Sequence, residues 1–431
     1  MILSENTTVA IVGLGYVGLP LGIEFGKVRR TIGFDLSDSK IQNCKANIDP
    51  MGEVSPQEFK ASKFFGYTNQ PSILSEADVV IICVPTPIDQ ERNPDLSFVE
   101  NAFELVGKNL KENAVVVLES TVYPGVTEDV GVPILEKHSK GIWKETFFVG
   151  YSPERINPGD SSRTVRDIIK VVAGDTEHTT EFLAQLYGQI IVAGIFEASS
   201  IQVAEASKVI ENTQRDINIA LMNELAMIFS KLGLNTTDVL AAANTKWNFL
   251  NFQPGLVGGH CIGIDPYYLM HKAKKLDYDP EIITAGRKIN DNMSKFIAER
   301  AMSKMLNNGL ELNKSEVAIL GVTFKENCPD IRNSKVFDLR NHLIKHGCRV
   351  DAHDPIAQSE DCEQEFGVDL MDWQNLSVYD CIILAVPHEY YLGKQKSDFL
   401  SKLKSNGVLI DVKSAVYQKL KNTDHIDLLT I

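Results

Sequence analysis

The chain has 431 residues, of which 44% are hydrophobic and 23% are charged, and its formal net charge at pH 7 is −14. This length and composition allow two or three folded domains with separate cores, and they argue against a disordered chain. The negative charge disfavours nucleic acids and anionic membranes as partners, because both require a basic surface. No apolar run approaches the ~20 residues that span a bilayer, and the first apolar segment lacks a charged leader and a cleavage site. We therefore expect an unexported, cytoplasmic protein without a nucleic-acid or membrane partner.

The seven cysteines are scattered along the chain, and no two of them stand in a CxxC pair. Their odd number and irregular spacing support neither a disulfide framework nor a zinc site. We expect a reducing compartment and no bound metal.

The N-terminal part of the chain alternates short runs of β-branched residues with segments of helix length. This alternation predicts a parallel sheet with crossover helices on both faces, because the runs are apolar throughout. The predicted strands are 9–12, 31–35, 77–84, 114–118, 146–149 and 168–172.

A long helix is predicted from about residue 199 to 232, since this segment contains no proline or glycine and Gly233 follows it. A second helix is predicted over 280–308, and the α/β pattern then resumes with strands at 316–322, 349–354, 379–386 and 407–412. We predict an α/β protein with two Rossmann-like, doubly wound domains joined by the long central helix and a small helical region. The expected domains are 1–198, 199–309 and 310–431, and subunits are expected to pair through the central helix.

A glycine-rich tract, Gly13-Leu14-Gly15-Tyr16-Val17-Gly18, follows the first predicted strand and opens a helix. Glycines there permit a tight turn, close approach to a pyrophosphate and close helix packing. Asp35 ends the second strand, where a carboxylate accepts both ribose hydroxyls of NAD and repels a 2′-phosphate. A glycine turn without a ligand is the alternative, but the agreement of strand, turn, helix and acid favours NAD binding.

Cys261 lies in a second glycine-rich tract, which runs from Val257 to Pro266 and also contains His260 and Asp265. Most free cysteines are buried small apolar residues. A turn of this kind instead exposes the sulfur and leaves backbone amides free to lower the thiol pKa. Residue chemistry alone leaves both interpretations open, and Cys328 is the rival thiol.

The long helix carries polar residues at spacings of three and four, which place them on one face. They are Lys208, Asn212, Arg215 or Asp216, Asn223 and Glu224. A solvated face is one interpretation. The other is a cleft in which a lysine or amide stabilises an oxyanion.

Two tracts follow strands of the first domain, where loops at the carboxyl ends form a binding crevice. One contains Thr121 and the other contains Glu154 and Arg155. Glu154 is a candidate general base, and a role as a helix cap is the alternative.

Together these tracts resemble the UDP-glucose/GDP-mannose dehydrogenase family, in particular its branch acting on UDP-N-acetylglucosamine or UDP-N-acetylgalactosamine. The resemblance covers nearly the whole chain. It rests on the tracts Gly13–Pro20, Val84–Pro87, Glu119–Val122, Tyr151–Arg155, Lys208–Asp216, Gly258–Cys261 and Phe324–Arg332.

The resemblance implies oxidation of a primary C6 alcohol to a carboxylate, with two NAD reduced and no aldehyde released. Cys261 would add to the aldehyde and give a thiohemiacetal, which loses hydride and becomes a thioester. Water then releases a uronic acid, a precursor for surface polysaccharide.

The family's catalytic roles are carried over by position. Lys208 and Asn212 would stabilise the developing oxyanion. Asp265 would hold an active-site water with Thr121, and Glu154 would assist hydrolysis of the thioester.

The resemblance also implies binding residues, including a loop over 249–258 that covers the sugar. The implied cofactor contacts are Gly13, Gly15, Tyr16, Val17, Gly18, Asp35, Lys40, Thr86 and Arg332. The implied contacts with the UDP-linked acetamido sugar are Glu154, Arg155, Lys208, Asn212, Phe249, Gly258, Phe324 and Lys325. Lys413 lies near a basic position of the family's last domain, and a homodimer or dimer-based oligomer is expected.

The chain departs from the UDP-glucose branch at several positions. His260 stands where that branch has a serine or another residue, so it marks the acetamido branch and is not an obligatory base. Pro158 replaces a second glutamate, and no arginine near Lys246 matches the one that some relatives contribute across the dimer.

Four other functions remain open from the sequence. The sugar can be UDP-N-acetylmannosamine or UDP-glucose. A single-step hydroxyacid dehydrogenase shares the first domain and the long helix, but it leaves Cys261 and the last domain unexplained. A non-enzymatic NAD sensor would use the cysteine as a redox switch.

Overall fold

The computed structural model describes residues 2–89, 91–156, 163–259, 262–424 and 426–431. The chain forms two compact units, each described by itself below. Unit 1 consists of Met1–Glu211 and Tyr267–Tyr278, and unit 2 consists of Asn212–Pro266 and Asp279–Ile431.

Unit 1 is built on an eight-stranded sheet. Its strands are β1 (Val9–Val12), β2 (Thr31–Phe34), β3 (Phe65–Thr68), β4 (Val79–Ile82), β5 (Ala114–Leu118), β6 (Phe147–Tyr151), β7 (Lys170–Gly174) and β8 (Ile195–Glu197). Their order is β3-β2-β1-β4-β5-β6-β7-β8. All neighbours are parallel except β6 and β7, which are antiparallel. The six predicted strands are confirmed, whereas β3 and β8 were not predicted.

Six helices of this unit lie between its strands in the chain. They are α1 (Gly18–Val28), α2 (Asp38–Lys45), α3 (Pro56–Ala61), α4 (Ser97–Lys108), α5 (Val132–Ser139) and α6 (Glu177–Tyr187). Short 3-10 segments lie at Pro71–Glu76 and Val165–Asp167, and a π-helical turn lies at Thr127–Gly131.

Four helices occupy the middle of the chain. They are α7 (Ile201–Leu232), α8 (Thr236–Ala243), α9 (Asp265–Lys275) and α10 (Glu281–Asn307). The predicted long helix is confirmed, and it ends because Gly233 adopts a φ of +71°, the left-handed conformation that terminates helices. The second predicted helix corresponds to α10, which is followed by Gly309 at a φ of +79°.

Unit 2 contains a parallel five-stranded sheet. Its strands are β9 (Glu316–Leu320), β10 (Arg349–His353), β11 (Tyr379–Leu384), β12 (Leu403–Asp411) and β13 (Ile426–Thr430), in the order β10-β9-β11-β12-β13. The accompanying helices are α11 (Lys335–Lys345), α12 (Ser359–Phe366), α13 (Glu389–Leu392), α14 (Lys396–Leu400) and α15 (Tyr417–Leu420). Two 3-10 segments lie at Leu312–Lys314 and Trp373–Asn375. Only β13 was not predicted.

Both faces of this second sheet are buried. Val317 and Ile319 of β9 belong to one hydrophobic cluster, and Ala318 and Leu320 belong to another. Alternate residues of a strand point to opposite faces, so helices cover both sides and the predicted Rossmann-like, doubly wound fold class is confirmed. Among the residues described, no helix is both long enough and apolar enough to cross a bilayer.

Candidate active site

The turn between β1 and α1 has the geometry of a dinucleotide-binding turn. Gly13 has a φ of +98°, and a Cβ there would stand 2.5 Å from the carbonyl oxygen of Cys83. A Cβ on Gly18 would lie 2.0 Å from the carbonyl oxygen of Gly13, whereas one on Gly15 would meet nothing within 4 Å. The turn is therefore closely packed at its outer glycines and open at the middle one, where the backbone can approach a pyrophosphate.

Asp35 lies beside this turn, directly after β2. Its Oδ2 accepts hydrogen bonds from the backbone N–H of Leu14 at 2.9 Å and from Lys40 Nζ at 3.1 Å. Its Oδ1 accepts the backbone N–H of Ser37 at 2.9 Å. Because β1 is flanked by β2 and β4, the turn and the acid lie at the switch point where doubly wound sheets bind ligands.

The loops after β4 and β5 are joined by Ser120. Its hydroxyl accepts the backbone N–H of Val84 at 3.0 Å and donates to the Val84 carbonyl at 2.7 Å. Thr86 and Thr121 are half-buried on these two loops. The structure thus places both predicted residues at the same carboxyl edge of the sheet as the glycine turn.

Glu154 follows β6 and is 6% exposed. Its Oε1 accepts hydrogen bonds from the backbone N–H groups of Arg155 and Ile156. Its Oε2 has no hydrogen-bond partner in the described part of the chain and lies 4.0 Å from Lys170 Nζ. The side chain caps the turn formed by its own next two residues, and it retains one carboxylate oxygen for a ligand.

Arg155 is anchored within unit 1. Its Nη2 lies 2.7 Å from Glu211 Oε1, and its Nη1 donates to the carbonyl of Ile169 at 3.0 Å. These contacts fix the guanidinium close to the turn of Glu154.

A stripe of buried polar residues runs along α7. Its members are between 0% and 7% exposed: Glu205, Lys208, Asn212, Thr213, Asp216 and Asn223. The interpretation of a solvated face is therefore wrong. Arg215 and Glu224 are exposed, so Asp216 continues the stripe and Glu224 does not belong to it.

Two of the predicted catalytic residues meet in unit 2. Asn212 Nδ2 donates to Asp265 Oδ2 at 2.5 Å, and Asp265, which begins α9, is 3% exposed. Lys208 stands one helical turn before Asn212 on α7 and is 7% exposed.

Further along α7, Asn223 holds the loop that precedes the cysteine tract. Its side chain accepts the N–H of Gly255 at 2.8 Å and donates to the Gly255 carbonyl at 3.0 Å. It also donates to Asn290 Oδ1 at 2.8 Å, and Asn290 donates to Asp216 Oδ1 at 2.7 Å. Arg287 Nη1 donates to the same oxygen at 2.6 Å. Asn223 thus holds the loop at Gly255, and its own side chain is held by Asn290 and Asp216.

That loop contributes to a pocket in unit 2. The pocket is lined by Leu256, Gly258, Thr323, Phe324, Lys325, Ser334, Lys335, Val336, Ala385, Val386 and Lys413. Thr323–Lys325 follow β9, Ala385 and Val386 follow β11, and Lys413 follows β12, so the pocket lies at the carboxyl ends of the strands. The sequence analysis named Gly258, Phe324 and Lys325 as substrate contacts, placed Leu256 in the loop that covers the sugar and singled out Lys413. It did not predict the other six lining residues.

The pocket suits an anion. Three lysines line it, and the N-terminus of α11 lies in its wall, with Ser334 accepting the N–H of Val336 at 3.4 Å. The free amides and dipole of a helix N-terminus attract negative charge. Lys413 forms an ion pair with Glu326, and Lys335 lies 3.1 Å from Asp338. This local basic surface is what an overall acidic chain needs to bind an anionic ligand.

His388, which the sequence did not single out, holds the turn that carries Phe324 and Lys325. Its Nδ1 accepts the backbone N–H of Asn327 at 2.9 Å, so the ring proton is on Nε2. Nε2 lies 3.0 Å from Asp354 Oδ2. Burial of Asp354 favours its neutral form, but the hydrogen bond from His388 favours the ionised form. The pKa of Asp354 is therefore lowered.

Arg332 and Phe249 belong to unit 2, and three other residues of the sequence analysis lie outside the described residues. Arg332 is in unit 2 and pairs with Asp330, with Nη2 2.9 Å from Oδ2. Phe249 is half-buried in a turn after α8. Cys261, His260 and Pro158 lie outside the described residues.

The six cysteines that the structure describes are all buried. Burial raises the pKa of Cys44 to about 11 and that of Cys83 well above its ordinary value. Cys328, the rival thiol, is 4% exposed. These environments suit packing more than nucleophilic attack.

Comparisons with protein families match three successive segments of the chain to domains of one family. The NAD binding domain of the UDP-glucose/GDP-mannose dehydrogenase family matches residues 7–191, its central domain matches 202–292 and its UDP binding domain matches 318–418. The chain belongs to this family. The resemblance in the sequence is thus confirmed, and the chain is an NAD-dependent nucleotide-sugar 6-dehydrogenase.

Among similar proteins, Protein CapL of Staphylococcus aureus is 49% identical over 423 residues, which are 98% of either chain. A UDP-N-acetyl-D-glucosamine 6-dehydrogenase of Pseudomonas aeruginosa is 48% identical over 95% of this chain and 97% of its own. A solved structure of a UDP-D-ManNAc dehydrogenase from Pyrococcus horikoshii matches with a TM-score of 0.88 at 27% identity over 99% of either chain.

The residues of this dehydrogenase fit the NAD that its family uses. The open backbone at Gly15 and the N-terminus of α1 suit the pyrophosphate. The carboxylate of Asp35 is bonded only to N–H donors among its described contacts, so its remaining lone pairs can accept ribose hydroxyls.

Proposed function

We propose that this chain oxidises the C6 hydroxyl of a UDP-N-acetylhexosamine, UDP-GlcNAc or UDP-GalNAc, to the uronic acid. The product would serve as a precursor of surface polysaccharide such as capsule or O-antigen. The observation that carries the proposal is the basic pocket of unit 2, where Lys325, Lys335 and Lys413 meet the N-terminus of α11.

The pocket would hold the diphosphate of the substrate. Phosphate oxygens bind both to lysine ammonium groups and to the free amides of a helix N-terminus. Phe324 offers an aromatic face for the uracil ring. The segment 318–418, which matches a UDP binding domain, contains Phe324 and all three lysines.

Sequence identity favours glucosamine over mannosamine among the acetamido sugars. Relatives named UDP-N-acetyl-D-glucosamine 6-dehydrogenase are 47% to 48% identical to this chain, whereas those named UDP-N-acetyl-D-mannosamine dehydrogenase are 28% to 31% identical. UDP-ManNAc and UDP-glucose are the alternative substrates.

For the cofactor, the turn from Gly13 to Gly18 would bind the pyrophosphate of NAD. Asp35 and Lys40 would bind the adenosine ribose, and Thr86 and Arg332 would make further contacts. When bound, NAD supplies the hydride acceptor for both oxidations.

The remaining chemistry belongs to the chain's own side chains. The thiolate of Cys261 would add to the C6 aldehyde and form a thiohemiacetal. Loss of hydride from this carbon leaves a thioester, and water cleaves the thioester to the carboxylate and the free thiol. The covalent bond explains why the aldehyde is not released between the oxidations.

Two polar residues would act on the oxygen at C6, and two others would support them. Lys208 and Asn212 would stabilise the oxyanion as charge develops on it. The bond from Asn212 to Asp265 would orient the amide, and Asp265 with Thr121 would hold an active-site water.

Glu154 would be the base that activates water for hydrolysis of the thioester. Its Oε2 is buried and has no hydrogen-bond partner in the described part of the chain, which leaves it available to a water. Arg155, Phe249 and Gly258 would contact or cover the sugar.

We further propose that the chain is organised as an NAD-binding domain over 1–198, a central helical domain over 199–309 and a UDP-sugar-binding domain over 310–431.

The decisive experiment measures NADH formed per sugar consumed, using UDP-GlcNAc, UDP-GalNAc, UDP-ManNAc and UDP-glucose in parallel. We expect two NADH per sugar and a uronic acid product with an acetamido sugar. One NADH with accumulating aldehyde would contradict the proposal in favour of a single-step dehydrogenase, and no NADH at all would indicate a binding protein.

A Cys261→Ser variant tests the covalent step. We expect it to lose turnover while still binding NAD, because the thiol is required only after the cofactor is in place. Unchanged turnover would remove the thiol from the mechanism.

A further inference from the structure

Lys170 is a buried lysine that the mechanism above does not use. It lies in β7, and its side chain is 4% exposed. Its Nζ donates to Glu119 Oε2 at 2.7 Å and to the carbonyl of Pro153 at 3.1 Å, and it lies 4.0 Å from Glu154 Oε2. One ammonium therefore contacts the loops after β5 and β6, which carry Thr121 and Glu154.

The two carboxylates near this ammonium differ in their other contacts. Each oxygen of Glu119 accepts a hydrogen bond, because Tyr187 donates its hydroxyl to Oε1 at 2.6 Å and Lys170 donates to Oε2. Glu154 Oε2 has no hydrogen-bond partner in the described part of the chain. The lysine is thus the nearest positive charge that the structure shows beside this oxygen.

Among the described residues, the charged groups of this cluster are Lys170, Glu119 and Glu154. Burial raises the pKa of the Glu119 carboxyl, and the Lys170 ammonium opposes this effect. The thiol of Cys83, after β4, and the hydroxyl of Tyr187, on α6, also face this cluster, and burial raises the pKa of both well above their ordinary values. Both are therefore neutral at working pH. Burial alone would lower the pKa of Lys170, but Glu119 and Glu154 outweigh burial and raise it.

We propose that Lys170 is a positioning residue for Glu154: its ammonium attracts the negative charge of the Glu154 carboxylate 4.0 Å away and fixes the Pro153 carbonyl beside it. Glu119 shares the same ammonium and so limits the positive charge that Glu154 experiences. This inference rests on the proposed role of Glu154 in hydrolysis of the thioester.

Two substitutions should then act in opposite directions. In Lys170→Met the opposite charge 4.0 Å from Glu154 is lost, so the acidic limb of the kcat profile should move to higher pH by about 1 unit or more. In Glu119→Gln the competing carboxylate is neutral, so the acidic limb should move to lower pH. A residue with only a structural role would not shift the profile in both directions.

The intermediate gives a second measurement. Acid-quenched samples of Lys170→Met, analysed by intact mass during turnover at neutral pH, should contain more enzyme with covalently attached sugar than wild type. This excess should disappear at higher pH, above the displaced acidic limb of the kcat profile.

Folding is controlled with two further proteins. The double variant Glu119→Gln/Lys170→Met removes both charges of the pair, so its acidic limb should lie between those of Glu119→Gln and Lys170→Met. Lys108→Met removes a surface lysine paired with Glu104 and should leave the profile unchanged. Thermal midpoints and NAD affinity close to wild type establish that each variant is folded.

Profiles of Lys170→Met and Glu119→Gln that do not move, or that move in the same direction, would overturn the role of Lys170 in an enzyme that makes the carboxylate. A wild type that forms no covalent adduct would instead overturn the proposed function and this inference with it.

Discussion

The carboxylate of Asp35 accepts the backbone N–H of Leu14 at 2.9 Å, so the acid after β2 is bonded to the glycine turn after β1. Unit 2 repeats this construction, since Asp354 after β10 accepts the backbone N–H of Val322 at 2.6 Å. The two acids differ in their other contacts. Asp354 contacts the buried side chain of His388, whereas Asp35 contacts Lys40, which is half-exposed. The first acid is therefore the one suited to a ribose.

Asp35→Asn should weaken NAD binding and relax the choice of cofactor. The amide keeps the shape of the side chain but loses the charge, so we expect the KM for NAD to rise about tenfold, or about 1.4 kcal/mol. Repulsion of a 2′-phosphate also disappears, so the activity with NADP relative to NAD should rise. Initial rates with both cofactors measure this.

The matched control for this prediction is Asp38→Asn, because Asp38 is exposed at the start of α2. It should leave the cofactor ratio unchanged. A wild-type enzyme that uses NADP as readily as NAD would show that the ribose assignment is wrong.

Gly258→Ala should damage the sugar-nucleotide pocket. A Cβ on Gly258 would stand 2.6 Å from the backbone oxygen of Asn333, which cannot move as a side chain would. We expect kcat/KM for the UDP-sugar to fall at least about tenfold, since displaced pocket residues cost this much or more, and NAD affinity should not change. Gly263→Ala is the control, because its nearest atoms would be 3.8 Å away. Equal losses in both variants would contradict the steric argument.

Asn223→Ala should destabilise unit 2 and raise the KM for the UDP-sugar. The substitution leaves the buried N–H and C=O of Gly255 without their side-chain partner, at a cost of about 2–3 kcal/mol and a Tm lower by about 5 °C. The KM should rise because Leu256 and Gly258 of the same loop line the pocket. Asn218→Ala is the control, since Asn218 Nδ2 donates to the carbonyl of Gln214 within α7. If the two variants behave alike, Asn223 does not support the loop.

The central helix should mediate dimer formation. Large apolar side chains on α7 are between 46% and 64% exposed: Val203, Ile210, Leu221, Ile228 and Leu232. Most are spaced by two or three helical turns, so they share one face that a second copy of the chain would cover.

Replacing both Leu221 and Ile228 by lysine should convert the dimer to a monomer, which light scattering would detect. Both positions are exposed in the single chain, so its fold should survive. Gln202→Lys changes an exposed polar position about 100° around the helix from this face, and this variant should remain dimeric. A monomeric wild type at micromolar concentration would refute the predicted pairing.

His353 should make the stability of unit 2 depend on pH. Burial lowers the pKa of His353 to about 4, whereas an unfolded histidine has a pKa of about 6.5. Below pH 6.5 the unfolded state binds a proton that the native state does not, so the stabilisation present above about pH 6.5 is lost as the pH falls towards 4. A pKa difference of about 2.5 units corresponds to a loss of about 3 kcal/mol by pH 4.

Thermal unfolding between pH 7 and pH 4.5 tests this prediction. His353→Asn should show a smaller decrease in Tm over this range than wild type. His346→Asn removes an exposed histidine and should not change the slope. Identical slopes in wild type and His353→Asn would mean that His353 does not contribute.

The sequence predicted six of the eight strands in the sheet of unit 1 and missed the two with the weakest apolar pattern, β3 and β8. Strands such as β5, which is buried along its whole length, carry β-branched apolar runs that are visible locally. In contrast, β3 contains a glycine and is partly exposed, and β8 has only three residues. Such strands form because a neighbour offers hydrogen bonds, and this pairing is not encoded in their own periodicity.

The glycine turn, Asp35 and the long helix were determined by the sequence itself, because each depends on a local rule of backbone geometry, spacing or propensity. Tertiary structure alone decided the basic pocket, since Lys413 is far in the chain from Lys325 and Lys335 and joins them only when β9, β12 and α11 are assembled. It also decided the contacts of Lys170 with Glu119 and Glu154, because three neighbouring strands bring these residues together. Local residue patterns carry no information about such distances, which the order of the strands sets.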